Sequence, residues 1–157
     1  MNIRRATEAD LPAIVSILAG DTLGRTREDD SRATKDAYLK AFRIISAEKN
    51  QTILVAESEE GEIAGTLQLT FIQYLTYKGG LRAQAEAVFV KSDHRGKGIG
   101  TMLMKEAEKI ARERGAHLIQ LTTDKRRPDA KRFYEKLGYT ASHEGMKLHF
   151  KDLNSGN

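Results

Sequence analysis

Residues 87–101, Ala-Val-Phe-Val-Lys-Ser-Asp-His-Arg-Gly-Lys-Gly-Ile-Gly-Thr, carry an apolar strand through a polar turn into a glycine-rich corner. An amphipathic helix follows directly, from Thr101 to about Arg114. Its apolar positions Ile99, Met102, Leu103, Ala107, Ile110 and Ala111 recur at helical spacing and give one buried stripe. Glycines at 96, 98 and 100 let the main chain approach a ligand and adopt dihedrals closed to other residues. The first amides of a helix have no partner within it, and the helix dipole is positive there. Arg95 and Lys97 add full charges, so the corner suits a phosphate group. Two common phosphate loops do not fit. A dinucleotide fingerprint starting at Gly96 would need its third glycine where Thr101 stands, and a P-loop needs Gly-Lys-Ser/Thr at the helix start.

A chain of 157 residues is read as one domain, 1–157, large enough for a full core. The charged share of 31% and apolar share of 39% match a soluble globular protein. The absence of cysteine removes disulfides, thiolate metal sites and any acyl-cysteine intermediate, and the expected location is cytoplasmic. Leu11 to Ala19 is not read as a secretion signal: Glu8 and Asp10 flank it, and Leu11, Ile14, Val15 and Leu18 fall at helical spacing. No run approaches the ~18 apolar residues that cross a bilayer, so no membrane partner is expected. The net charge of +4 is uneven. Residues 1–80 hold 10 Lys/Arg against 12 Asp/Glu, and residues 81–157 hold 16 against 10. The basic half suits a polyanion, a phosphate-rich small molecule or nucleic acid alike.

Along the chain, Asn2–Arg5 reads as a strand and Thr7-Glu8-Ala9-Asp10 as a capping pattern for a helix ending near Gly20. Residues 20–31 read as a mobile loop, and a second helix spans about 33–47 with Ala37, Tyr38, Ala41, Phe42 and Ile45 on one face. Strands at 52–57 and 63–72 form a hairpin, and 81–90 is the strand entering the corner. Alternation there sets Arg82, Gln84, Glu86 and Val88 opposite Ala83, Ala85, Ala87 and Phe89. A strand at 118–122, a basic loop, and a helix from Asp129 to about Leu137 follow. Residues 139–142 and 146–150 are expected to pair as a last hairpin. The order describes a mixed α/β layer protein.

Arg95-Gly96-Lys97-Gly98-Ile99-Gly100 resembles the Arg/Gln-x-x-Gly-x-Gly/Ala signature of the GNAT N-acetyltransferase superfamily. Ala130-Lys131-Arg132-Phe133-Tyr134-Glu135-Lys136-Leu137-Gly138-Tyr139 resembles a second signature of that family, Ala-x-x-Phe-Tyr-x-x-x-Gly-Phe/Tyr. Read from the residues alone, this second stretch is a short helix with Phe133 and Leu137 packed inward and a glycine cap. The motifs stand in the family's order with a strand between them, and the resemblance is strong over 81–150. It implies a GNAT-type α/β (α+β) fold: a mixed, mostly antiparallel sheet of six to seven strands with a splayed parallel pair, flanked by about four helices. One departure stands at Arg127, where the family often has an asparagine that reaches the pantetheine arm.

The resemblance further implies acetyl-CoA as cosubstrate; no His/Asp/Glu spacing suggests a metal, and none is expected. The main chain of Val88, Phe89 and Val90 would meet pantetheine like an added strand. The corner Arg95, Gly96, Lys97, Gly98, Ile99, Gly100 and Thr101 would take the pyrophosphate, and Arg127 the coenzyme, a phosphate or the acceptor. Tyr134 matches the family's general acid beside the sulfur; a phenol of pKa about 10 stays protonated at neutral pH. Glu86 is the candidate base, drawing the amine proton through water. His94 reads as a turn residue, while His143 and Glu144 sit where family members admit acceptors. The implied function is direct acetyl transfer to a primary amine, of an acceptor expected to be a small molecule. The alternative is a GNAT-fold acetyl-CoA-binding regulatory module, linked to transcription, with little turnover. No helix-turn-helix pair supports a DNA reader. Homodimers are common in the family.

Overall fold

In a computed structural model of the chain, residues 1–20 and 32–150 are described. The chain divides into two compact units, Met1–Leu121 and Thr122–Asn157. The first holds a five-stranded sheet ordered β1 (Asn2–Arg5), β2 (Gln51–Glu57), β3 (Ile63–Gln73), β4 (Leu81–Val90) and β5 (Leu118–Gln120). The first three pairings are antiparallel and β4–β5 is parallel. A short 3-10 turn, Glu8–Asp10, leads into α1 (Leu11–Ala19); α2 (Arg32–Ala47) precedes β2. A single turn, α3 (Thr76–Gly79), joins β3 to β4, and α4 (Ile99–Glu113) crosses from β4 to β5.

Strand register decides which side chains face which helix. Leu67, Leu69 and Phe71 of β3 share a face with Leu54 of β2 and with Ala83 and Ala85 of β4, and all six are buried. Across that face lies α4, whose Ile99, Leu103, Met104, Ala107 and Ala111 are buried. Gly65 sets the spacing: a Cβ there would stand 3.1 Å from Leu103 Cδ1 and 3.2 Å from Ile99 Cγ2. The first turn of α4 is thereby drawn onto β3. On the opposite face Val55 and Ile63 pack against Ile14 and Ile17 of α1, with Ile53 and Phe89 at the margin. Burying each such aliphatic side chain contributes roughly 2 kcal/mol.

The entry to α1 is locked by charge. Arg4 of β1 reaches both oxygens of Asp10 (2.8 and 2.9 Å) and both of Glu57 (2.8 Å each). Asp10 Oδ2 also accepts from the Thr7 amide at 2.7 Å and the Thr7 hydroxyl at 2.9 Å, closing the capping box expected from Thr7–Asp10. Asp10 is buried, and the Arg4 guanidinium lowers its pKa from 3.8 to about 2. A lowered folded-state value contributes stability above pH 4 that is lost as pH falls toward 2. Asp10→Asn is therefore expected to destabilise the fold by about 2 kcal/mol at pH 7 and by much less near pH 2. Urea melts of the two proteins at both pH values check this; an equal loss at both would remove the ionic account.

Four details depart from the sequence reading. First, the alternation along β4 breaks at Ala87, whose φ is +49°. Gln68 pairs with Glu86 but Thr66 with Phe89, so β4 carries one extra residue over that step, a β-bulge. Phe89 therefore shares the face of Arg82, Gln84 and Glu86. Second, five strands form among the described residues, not six to seven. Residues 139–150 form none, and Met146, Leu148 and Phe150 are 93%, 81% and 86% exposed. A lone hairpin with no covered face is marginal in water. Third, Met104 rather than Met102 is buried on α4. Fourth, beside the four longer helices the described residues hold one further turn, α3, whose Tyr77 and Lys78 are left-handed. The expected loop lies, from Asp21 to Ser31, outside the described residues.

In the second unit, α5 (Pro128–Lys136) starts on Pro128 and carries acidic Asp129 in its first turn and basic Lys136 in its last, in accord with its dipole. Gly138 follows at φ +91°, the left-handed position that ends a helix.

Candidate functional site

At the end of β4 the chain makes a 3-10 turn, Ser92–His94, then passes Gly96 (φ +76°) and Gly98 (φ +78°) into α4. Two left-handed residues within three positions fold the backbone into a hollow. A Cβ at either glycine would meet no atom within 4 Å, so the hollow is open. Residues 95–98 are exposed while Ile99 is buried against Gly65, fixing the corner on a rigid base. Among the described residues the first α4 amide to find a main-chain acceptor is that of Met102, on Gly98 O at 3.1 Å. The amides of Ile99, Gly100 and Thr101 are thus the orphaned donors of the helix start. Arg95 Nε donates to Val90 O at 3.2 Å, tying the corner to the strand. Lys97 has no ionic partner among the described residues. Open space, orphaned donors and a spare cation fit a diphosphate.

Along β4, pairing with β5 covers only Arg82–Gln84 against Leu118–Gln120 and closes on a Gln120 Nε2 to Gln84 Oε1 bond of 2.9 Å. Beyond it β4 runs six more residues without β5. On its other side, Lys91 donates to Ala64 O at 2.9 Å. In an antiparallel ladder this turns the Phe89 main chain toward β3 and that of Val90 away from it, toward the gap left by β5. Glu86 is exposed, on the α1 face of the sheet, with no hydrogen bond or ion pair among the described residues; it is not paired with Arg82. Near Val90 and Arg95 lies a cleft of about 550 Å³, bounded by Ala13, Ser16 and Ile17 of α1.

Glu62, Asp93 and His94 bring ligand atoms within 4.8 Å of one another. Lys91 Nζ, however, ion-pairs with Glu62 and lies 3.6 Å from Asp93, so an ammonium already stands between the two carboxylates. His94 is a turn residue, as expected, held to Asp93 at 3.0 Å.

In the second unit, Tyr134 lies on α5, its ring edge-on to Phe133 (5.0 Å) and Tyr139 (6.0 Å). Burial pushes its phenol pKa up, with the Arg127 cation pulling back. Its hydroxyl has no hydrogen-bond partner among the described residues. Arg127 caps α5, donating its amide to Asp124 O at 2.8 Å. The Asp124 carboxylate takes Arg126 in a bidentate pair, 3.0 and 2.7 Å, and is held well below the usual carboxylate pKa. Lys125 pairs with Glu144 at 3.0 Å, which sets Glu144 in an ion pair of its own unit.

One group of side chains was not anticipated. The Arg82 guanidinium lies 3.9 Å from the Tyr74 ring and 5.1 Å from that of Tyr77, and Tyr77 stacks on His117 at 4.9 Å. An arginine in a strand otherwise rich in alanine, following a loop with two tyrosines, was the available signal.

Residues 13–139 match the acetyltransferase (GNAT) family model, and the chain belongs to that family. It is 28% identical to an aminoalkylphosphonate N-acetyltransferase of Salmonella typhimurium, over 90% of this chain and 86% of that one. It is also 28% identical to an L-methionine sulfoximine/L-methionine sulfone acetyltransferase of Pseudomonas paraeruginosa, over 90% and 81%. A crystal structure of a transcriptional regulator from Bacillus halodurans C-125 superposes with a TM-score of 0.91 at 54% identity, covering 95% of this chain and 99% of that one.

Proposed function

We propose that the protein is an acetyl-CoA-dependent N-acetyltransferase that moves an acetyl group directly to a primary amine of a small molecule. The observation that carries this reading is the open corner at Gly96–Thr101, with its orphaned amides. Bound there, the cosubstrate would supply an activated acetyl thioester. The amides of Ile99, Gly100 and Thr101, with Lys97, hold the diphosphate. Val90, its main chain turned into the gap beyond Gln84, offers a donor to pantetheine and to negative charge developing on the carbonyl oxygen. Tyr134, kept protonated by burial, gives its proton to the departing thiolate. Glu86 takes the proton of the amine. The named acceptors of the two curated relatives, an aminoalkylphosphonate and methionine derivatives, support an amine acceptor.

Incubation with acetyl-CoA and a panel of primary amines, with free thiol followed, tests the reading. Release dependent on an amine is expected; binding of acetyl-CoA without turnover on any amine would favour the regulatory module that the 54%-identical transcriptional regulator suggests. Glu86→Gln is expected to lower kcat/KM by about 10–100-fold at pH 7. The deficit should shrink as pH approaches the amine's own pKa of about 10, where the acceptor is already neutral. A deficit constant from pH 7 to 10 would remove the base role.

A further inference from the structure

The sheet face that carries Glu86 is polar and uncharged beside that carboxylate, where a covered face would be apolar. In strand register, Gln51 of β2, Thr70 of β3, Gln84 of β4 and Gln120 of β5 stand side by side in one row across the sheet. The next row sets Gln68 of β3 opposite Glu86. Gln51, Gln68, Thr70, Gln84 and Gln120 are all half-buried. A single glutamine on a strand needs no explanation, but these adjoin and form one neutral hydrogen-bonding surface. Two bonds within it fix the side chains. Gln120 Nε2 donates to Gln84 Oε1 at 2.9 Å, and Gln68 Nε2 donates to Gln51 Oε1 at 3.1 Å. A carboxamide offers two N–H donors and an oxygen acceptor. Each pair spends one donor on one oxygen, so each keeps further donors and a second oxygen that meet no described residue. The Thr70 hydroxyl likewise has no partner among the described residues.

Glu86 stands at the edge of this surface. Gln68 is its direct cross-strand neighbour, with Cβ atoms about 5 Å apart, and Gln84 lies two residues back along β4, about 7 Å away. Neither row contains a lysine or arginine, and α1, which packs on the same face over Val55 and Ile63, has no charged residue. Arg82, one row further, is about 13 Å from Glu86 along the strand and is held over Tyr74 and Tyr77. A carboxylate set beside the reacting amine would find no counter-charge there and would face Glu86 across a short gap. A hydroxyl or carboxamide both donates and accepts, and so matches the unmet groups. We propose that Gln68 and Gln84 select the acceptor, so that the substrate class is amines bearing a neutral hydroxyl or carboxamide on or beside the carbon that carries the nitrogen. This rests on the amine-acetylation reading and narrows it; Gln68 and Gln84 are the specificity-determining residues.

Matched amines test this, with kcat/KM expressed per neutral amine so that differences in amine pKa drop out. Serinol is set against 3-aminopentane, which has methyl groups where serinol has hydroxyls, and L-methioninamide against L-methionine. Wild type is expected to prefer serinol or the amide over its counterpart by about tenfold or more. Preference for serinol alone assigns hydroxyl groups, and preference for the amide alone assigns a carboxamide. Gln68→Leu and Gln84→Leu should each cut that preference about tenfold by raising KM for the polar member, with its kcat within about threefold. Acetyl-CoA affinity and thermal melting report whether each variant is folded, and Gln→Met at the same position replaces one that is not. No wild-type preference in either pair, a preference for methionine over its amide, or an equal loss on both members of a pair in a folded variant overturns the proposal. Should no amine be acetylated, the enzymatic reading fails on its own. Calorimetry with coenzyme A present then decides for the glutamines: uptake of serinol or the amide by wild type and not by Gln84→Leu supports the selection, and uptake of neither, or equal uptake by the variant, overturns it.

Discussion

Tyr134→Phe is expected to lower kcat by about 10²–10⁴-fold while leaving the affinity for acetyl-CoA within about twofold. The substitution removes one oxygen that has no hydrogen-bond partner among the described residues and keeps the ring that meets Phe133 and Tyr139. Packing is therefore preserved, and on the mechanism proposed above what is lost is the proton donor for the leaving thiolate. The pH dependence gives a second readout. Burial raises the phenol pKa above its ordinary value of 10. An acid must be protonated to act, so wild-type kcat should not fall until pH exceeds about 10, and that alkaline limb should be missing in the variant. Steady-state kinetics from pH 6 to 10.5, with coenzyme binding by calorimetry, read both. Unchanged turnover would sink the acid assignment; a parallel loss of coenzyme binding would reduce Tyr134 to a packing residue.

The second large effect is expected at the corner. Gly98→Val places a β-branched side chain at φ +78°, where backbone strain costs on the order of 1–2 kcal/mol. It also fills open space at the helix start. The Kd for acetyl-CoA should rise about 100-fold or more, as the bulk and the shifted amides both oppose a diphosphate. Gly115→Val separates the two causes. Gly115 has φ +77° with equally open surroundings, but stands after the far end of α4. It should show a similar drop in melting temperature with coenzyme affinity unchanged. Equal loss of affinity in both variants would mean that strain, not the site, is being measured.

What could be read from residues alone was what depends on local order. The Thr7–Asp10 capping box, the strand from Leu81 to Val90 and the left-handed turns at Gly96 and Gly98 are encoded in contiguous side chains and formed where their patterns indicated, while α4 begins at Ile99, two residues before the expected start, and takes in Gly100. The bulge at Ala87 was not legible. An alanine gives no sign of positive φ, and the extra residue appears only when β4 is laid against β3 at Thr66 and Gln68. The last hairpin was expected from two short runs, 139–142 and 146–150, either side of a turn, yet such runs make strands only when another surface covers one face, and Met146, Leu148 and Phe150 are exposed. Met102 and Met104 were interchanged because both sit at the edge of a broad stripe, and the contact with Gly65 sets the rotation of α4. The Arg82 group lay outside any motif: it depends on a left-handed turn at Tyr77 and Lys78 that brings a ring over a strand side chain.

The central claim is that the corner at Gly96–Thr101 binds the diphosphate of coenzyme A. Calorimetric titration of the protein with coenzyme A and, separately, with pantetheine, which has the same arm but no diphosphate, tests it directly. The account predicts stoichiometric uptake of coenzyme A and affinity for pantetheine weaker by about 100-fold or more. Equal affinity for the two ligands, or no uptake of coenzyme A, would contradict it.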